Sequence, residues 1–205
     1  MSIVPKTKTL MTEAEYLAFE RKSRDKHEFY HGELFAMAGA SREHNLITLN
    51  IGGELRAKLK DRRCEAYVGD MRVRVKPTGL YTYPDVVVVC GEPEFLDSDV
   101  DTLLNPTLLI EVLSDSTEKA DRGIKFKNYR QLPSLREYIL VSQSEPSIEH
   151  FTRRGDTYWE LTETAGLDAQ LVLTSLGLQI PLAEIYSKVV FSPKDGDVAN
   201  GNVES

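Results

Sequence analysis

Apolar residues recur along this chain in two rhythms, and the switches between them mark its elements. A helix is predicted from Thr12, with Glu15 three residues on as a capping box, through Tyr16, Leu17 and Phe19 to about Arg24. HEFYHGELFAMAG alternates around a His-Gly pair, the pattern of a hairpin or strand pair. A long helix is expected from Ser41 or Arg42 to about Asp61, with Leu46, Leu49, Ile51, Leu55 and Leu59 as its apolar stripe.

Strand rhythm then takes over. EAYVGDMRVRVKP alternates, placing Met71, Val73 and Val75 on one face and Asp70, Arg72 and Arg74 on the other. YPDVVVVC follows a loop around Thr78 and Gly79, and its unbroken apolar run suggests a central strand. Beyond an acidic loop over 91–105, Leu108–Leu113 reads as a strand buried on both faces. Asp115 with Glu118 forms a second capping box, for a helix to about Leu132, where Pro133 stops it. REYILVS is another buried strand, and 147–173 gives short strands with turns at Gly155 and Gly166. Helix, three strands, helix, strand, with additions at both ends, is an α/β sandwich around one sheet. Residues 1–191 read as a single domain, and Ser192–Ser205, rich in Gly, Asp and Asn, as a disordered tail.

Composition narrows the class without naming a function. A chain of 205 residues, 28% charged and 41% hydrophobic, is an ordinary globular protein able to bury a sizeable core. No stretch approaches the ~20 apolar residues of a membrane span, and the N-terminus lacks the apolar core of a signal peptide. A cytoplasmic protein is expected, with Cys64 and Cys90 as reduced thiols. A net charge of −7 argues against coating nucleic acid by bulk electrostatics. Yet Arg56, Lys58, Lys60, Arg62, Arg63, Arg72, Arg74 and Lys76 face only Asp61, Glu65 and Asp70 within that segment. Such a patch can hold phosphates; the plainer alternative is a solvated helix end and strand face.

One residue breaks the apolar pattern. Glu111 stands inside the Leu108–Leu113 strand, where an ionised carboxylate costs several kcal/mol or more unless something positive meets it. Asp85, after Pro84, opens the neighbouring strand. Two acids side by side repel unless a cation lies between them, and hard oxygen ligands favour Mg²⁺ or Mn²⁺. Lys125 is the third member. Four strand residues back from Asp115 span roughly 13 Å, and eight helical residues returning to Lys125 span about 12 Å, so Lys125 arrives level with Glu111. It shares a helix face with Asp121, Tyr129 and Leu132. A buried Lys–Glu pair and a site for a phosphate or an attacking water explain this placement equally well.

An acid after proline on one strand, then an acid on the next with a lysine beyond it, resembles the metal-dependent nucleases of the PD-(D/E)xK superfamily. The third motif position holds Leu113, so the lysine would have moved to Lys125 on the following helix. More narrowly, YHGELFAMAGAS, EHN, GDMRVRV, YPDVVVVC, IEVLSDST, DRGIKFKNY and EYILVS resemble, in order, the "putative restriction endonuclease" family abundant in cyanobacteria. The likeness runs from about Thr12 to Ile185. Ile139 and Ser142 replace a tryptophan and an aspartate common in that family, and Asp115 stands where it often has proline.

The resemblance implies a restriction-endonuclease-like mixed sheet flanked by helices, and a phosphodiesterase acting on DNA. Asp85, Glu111 and the Val112 main-chain carbonyl would hold Mg²⁺ or Mn²⁺, Lys125 would act on the nucleophile or the developing charge, and the basic segment from Arg56 would track the backbone. Glu33, His44 and Asp70 lie in family-like stretches as possible additions; Asp70 could equally pair with Arg72 and Arg74. Cutting both strands of a duplex suggests a homodimer. The alternative is a non-catalytic nucleic-acid-binding or assembly module that keeps the fold.

Overall fold

Residues 10–191 are described in a computed structural model. The predicted tail falls outside them. Helix α1 (Glu13–Glu20) starts at Thr12 with both capping-box bonds in place: Glu15 N–H donates to Thr12 Oγ1 (3.2 Å) and Thr12 N–H to Glu15 Oε2 (2.8 Å). Strands β1 (His27–Tyr30) and β2 (Glu33–Ala36) form the expected hairpin, closed by His31 and Gly32, both at positive φ. Helix α2 (Arg42–Leu59) follows. Then come β3 (Cys64–Val68), β4 (Arg72–Val75), β5 (Leu80–Thr82), β6 (Val86–Cys90), β7 (Thr102–Leu103) and β8 (Leu108–Leu113). A helical segment, α3 (Glu118–Ala120), a π turn over Asp121–Lys125 and α4 (Phe126–Tyr129), leads to β9 (Glu137–Ser142). Strands β10 (Ser147–Arg154), β11 (Tyr158–Ala165), β12 (Gln170–Leu173) and β13 (Leu178–Pro181) and helix α5 (Leu182–Ile185) complete the described chain.

The strands form two principal sheets and a small hairpin rather than one sheet. The six-stranded sheet runs β11-β10-β9-β8-β6-β3, with β8 and β9 parallel and the other pairs antiparallel. A five-stranded sheet runs β2-β1-β5-β4-β7. Side-chain alternation on the central strands explains the layers. Val86, Val88, Leu108, Ile110 and Val112 meet Ile47, Ile51, Leu55 and Leu59 of α2. Val87, Val89, Leu109 and Leu113 point the other way, into a core with Val73, Val75 and Leu80 of the second sheet and Tyr129 of α4. Each fully buried aliphatic side chain contributes roughly 1.5–3 kcal/mol, so the α2 stripe alone fixes that helix to the sheet.

Several expectations are corrected here. Helix α1 ends at Glu20, four residues short of Arg24. On α2 it is Ile47, not Leu46 or Leu49, that reaches the core; Leu49 is 68% exposed. The alternating run across Gly69 is two strands in different sheets, because Gly69 takes a positive φ and turns the chain between them. Asp115 does not cap the next helix: Thr117 holds the N-cap position without a side-chain bond, and the π turn interrupts the expected regular helix. Cys64 and Cys90 are joined as a disulfide, since the antiparallel β3–β6 register sets them directly opposite.

Glu137 begins β9 fully buried and is held by His150 Nε2 at 2.8 Å, Thr174 Oγ1 at 3.2 Å and the Ser175 N–H. Burial pushes its carboxyl up, but the bonds from His150 and Ser175 outweigh this and hold it below the usual glutamate range. A lowered carboxyl pKa stabilises the fold above the unfolded value, about 4.3, and that gain is lost as pH falls through the folded value. Glu137→Gln is therefore expected to cost about 3–5 kcal/mol at pH 7. The gap from wild type should narrow in melts taken below about pH 4; a gap that stays constant with pH would show that the Glu137 carboxylate is not held ionised by the fold.

Candidate active site

Three elements converge on one face of the six-stranded sheet. Asp85 stands one residue before β6, and the register Val86↔Ile110 carried one step further sets it opposite Glu111. Alternation sends Glu111 to the same side as Leu109 and Leu113, toward the second sheet and the helical segment. The two strands are tied at this point by the Val112 N–H, which donates to Asp85 Oδ2 at 2.7 Å. His44 Nε2, from the first turn of α2, lies 3.2 Å from the same oxygen.

Lys125 closes the site from the π turn. Its Nζ is 3.1 Å from Glu28 Oε1, 3.2 Å from Glu111 Oε1 and 3.0 Å from Asp121 Oδ1. The Tyr129 hydroxyl, one helical turn on, donates to Glu111 Oε1 at 2.8 Å and lies 3.1 Å from Thr82 Oγ1, which in turn bonds Glu28. The Tyr138 hydroxyl donates to the Asp121 carbonyl at 3.1 Å. Lys125, Glu111 and Asp121 are all buried.

The charges do not balance. Glu28, Asp85, Glu111 and Asp121 gather around one lysine, and among the described residues His44 Nε2 is the one other basic group set against them. Burial pushes the Glu111 carboxyl well up; Lys125 works against this, and Asp121, Asp85 and Glu28 add to the rise. Burial likewise raises Asp121. Burial would pull Lys125 down, but Glu111, Glu28 and Asp121 together hold it protonated and well above its ordinary value. Without another cation Glu111 and Asp121 are held toward their neutral forms.

Such a site suits a hard divalent ion. Its donors are oxygens, and Asp121 Oδ1 is buried with Lys125 Nζ at 3.0 Å as its partner. Among the described residues no three His, Cys, Asp or Glu side chains are grouped to cage an ion. Mg²⁺ does not need a cage, because it binds through one or two carboxylates and keeps several waters. Asp85 and Glu111, with the Val112 carbonyl beside them, are a set of that size.

The structure brings together Asp85, Glu111, Lys125 and His44. It adds Glu28 and Asp121. Glu28 gives no sequence signal, since an acid in a short alternating strand reads as solvated. Asp70 points outward and pairs with Lys26 at 3.1 Å, not with Arg72 or Arg74. Glu33 stands at the β1–β2 turn opposite Tyr30.

The basic segment is not one strip. Arg72 is a core residue, 2% exposed, with Asp101 at 2.8 Å, Tyr83 and Thr102 as partners and its guanidinium over the Tyr16 ring. Arg74 pairs with Glu13 at 2.6 Å. Lys58 pairs with Glu54 at 3.3 Å. Arg56, Lys60, Arg62 and Arg63 cluster at the far end of α2, where Arg56 lies roughly 18 Å along the helix from His44.

Comparisons with known proteins agree with this architecture. A family model described as "Putative restriction endonuclease" matches residues 13–183. Two uncharacterized proteins of Synechocystis sp. (strain ATCC 27184 / PCC 6803 / Kazusa) align over most of their length. One is 41% identical over 171 residues, covering 83% of this chain and 96% of its own. The other is 34% identical over 177 residues, covering 86% and 92%. A crystal structure from Anabaena variabilis ATCC 29413, described as "a putative nuclease belonging to DUF820", superposes with a TM-score of 0.71. It shares 15% identity over 88% of this chain and 99% of that one, and so supports the fold alone.

Proposed function

The chain belongs to the "Putative restriction endonuclease" family, and from that membership we propose that it is a metal-dependent phosphodiesterase acting on DNA. One observation carries the reading. Asp85 and Glu111 meet across β6 and β8 beside a buried lysine, with more carboxylate charge than the described cations neutralise. Asp85, Glu111 and the Val112 carbonyl would hold Mg²⁺ or Mn²⁺, which when bound lowers the pKa of a water and neutralises charge on a scissile phosphate.

The protein's own groups have distinct tasks. Asp85 is fixed from two sides, by the Val112 N–H and by His44 Nε2, so its carboxylate is oriented before substrate arrives. The Tyr129 hydroxyl orients Glu111 in the same way. Lys125 is kept cationic by three acids, and turning one of its N–H donors to a phosphate oxygen would stabilise developing negative charge there.

A second reading rests on those same Lys125 contacts. All three carboxylates lie on its ammonium, as in a binding or assembly module that uses the cluster only to hold the fold. Incubation with supercoiled plasmid and Mg²⁺ or Mn²⁺ separates the two. Nicked or linear product is expected from the wild type, with a loss of about 10²-fold or more in Asp85→Ala. Equal cutting by both proteins would assign the activity to a contaminant, and no product from either would favour the module.

A further inference from the structure

The end of the six-stranded sheet opposite Asp85 holds a second concave site. Five residues of β6 separate Asp85 from Cys90, roughly 16 Å of strand. There a cavity of about 690 Å³ opens between Cys90, Thr107, Arg136, Arg153, Arg154 and Ser175. That volume suits a small ligand, but apart from Cys90 the lining is wholly polar or charged. An apolar molecule would gain nothing by entering it.

Its charge is positive and poorly balanced. Glu137 is the only acid in the lining, and it is fully buried with its oxygens turned to His150, Thr174 and Ser175. Arg154 is answered by Glu160 at 2.8 Å. No acid among the described residues is ion-paired with Arg153, although the Asp156 charge offsets part of its own. Its guanidinium donates to the carbonyls of Leu135, Arg130 and Leu132 at 2.7–2.8 Å and to that of Asp156 at 3.3 Å, and it stacks on Trp159. Carbonyls satisfy its hydrogen bonds and leave the charge in place.

Arg136 sits beside it, its carbonyl accepting the Arg153 N–H at 2.8 Å, and no acid among the described residues pairs with its side chain. Two guanidiniums thus repel across the cavity; burial and the Arg136 charge both pull Arg153 below its ordinary value. Arg62 and Arg63 arrive at the same end of the molecule through contacts to Leu176 and Gly91. Hydroxyls complete the wall. Thr107 Oγ1 accepts the Cys90 N–H at 3.0 Å, so its own proton remains to be donated, while Ser175 at the mouth turns both its N–H and its hydroxyl to Glu137.

We propose that this cavity binds a small phosphate anion, either inorganic phosphate or the phosphomonoester of a nucleotide, with Arg136 as the contacting cation. The Arg136 fork matches two phosphate oxygens, and the Thr107 hydroxyl supplies a further donor. The site is separate from Asp85, Glu111 and Lys125 and is independent of whether those residues cleave DNA.

The test is a thermal melt and a calorimetric titration of the full chain in EDTA, with sodium phosphate, adenosine monophosphate, adenosine, or sodium chloride at matched ionic strength. Phosphate or adenosine monophosphate should raise the melting temperature where chloride and adenosine do not. Tighter binding of the nucleotide would identify the phosphomonoester, and equal binding free phosphate. Arg136→Gln, an exposed side chain whose loss leaves the core intact, should weaken binding about tenfold to a hundredfold. Glu111→Gln, at the other end of β6 and β8, should leave binding unchanged. A phosphate response no larger than that of chloride, an undiminished response in Arg136→Gln, or one lost in Glu111→Gln would each overturn the proposal.

Discussion

Lys125→Met is expected to be the most destabilising single substitution in the protein, and to be so only while metal is withheld. In EDTA the variant leaves Glu28, Asp85, Glu111 and Asp121 around an apolar side chain, three of them having lost their shared partner. Removing one member of a buried ion pair costs about 3–5 kcal/mol, and here three pairs go at once, tempered by protonation of the acids. Low pH should relieve part of the loss, because burial already holds Glu111 and Asp121 toward their neutral forms. Mg²⁺ should relieve more of it at neutral pH, since an ion bound only by the folded state stabilises by mass action. Chemical denaturation in EDTA and in millimolar Mg²⁺ reads both effects. A Lys125→Met variant as stable as wild type in EDTA would show that the acids around Lys125 are neutral without it.

Much of this site can be read from the chain because it violates a pattern. Glu111 stands out as the one charge in an apolar strand, and Asp85 follows from the neighbouring strand of the same type. Lys125 is placed by counting residues out along β8 and back along a helix. The count puts Lys125 level with Glu111 although the helix contains a π turn, since one extra residue in a short turn shifts the return by only about 1.5 Å.

What the sequence hides depends on which surfaces meet. Arg72 alternates with valines and so reads as solvent-facing, but the second sheet is covered on both sides, and Asp101, Tyr83 and Tyr16 receive the arginine inside. Glu28 has the same signature as any surface acid in a hairpin. Only the pairing of β1 with β5, at Phe29↔Tyr81, brings it to Thr82 and Lys125. The cysteine bond rests on the β3–β6 register, which neither strand's composition specifies. In each case local periodicity indicates which side a residue faces, and long-range pairing decides what lies there.

Glu111→Gln should behave in the opposite way to Lys125→Met. If Glu111 and Lys125 were an isolated buried pair, the change would strand the lysine and cost about 3–5 kcal/mol. Lys125 is not so dependent, because Glu28 and Asp121 remain at 3.1 and 3.0 Å. The glutamine carbonyl can still accept from the Tyr129 hydroxyl and from Lys125, so the hydrogen bonds to Oε1 need not be lost. What disappears is one of the four acids crowded around Lys125. The metal-free variant should therefore melt at the wild-type temperature or above it. Added Mg²⁺ or Ca²⁺ should raise the melting temperature of the wild type, and Glu111→Gln should lose most of that gain along with nuclease activity. Calorimetric melts of both proteins, with EDTA and with metal, are the measurement. A variant strongly destabilised in EDTA, together with a wild type indifferent to metal, would make Glu111 a partner of Lys125 and nothing more.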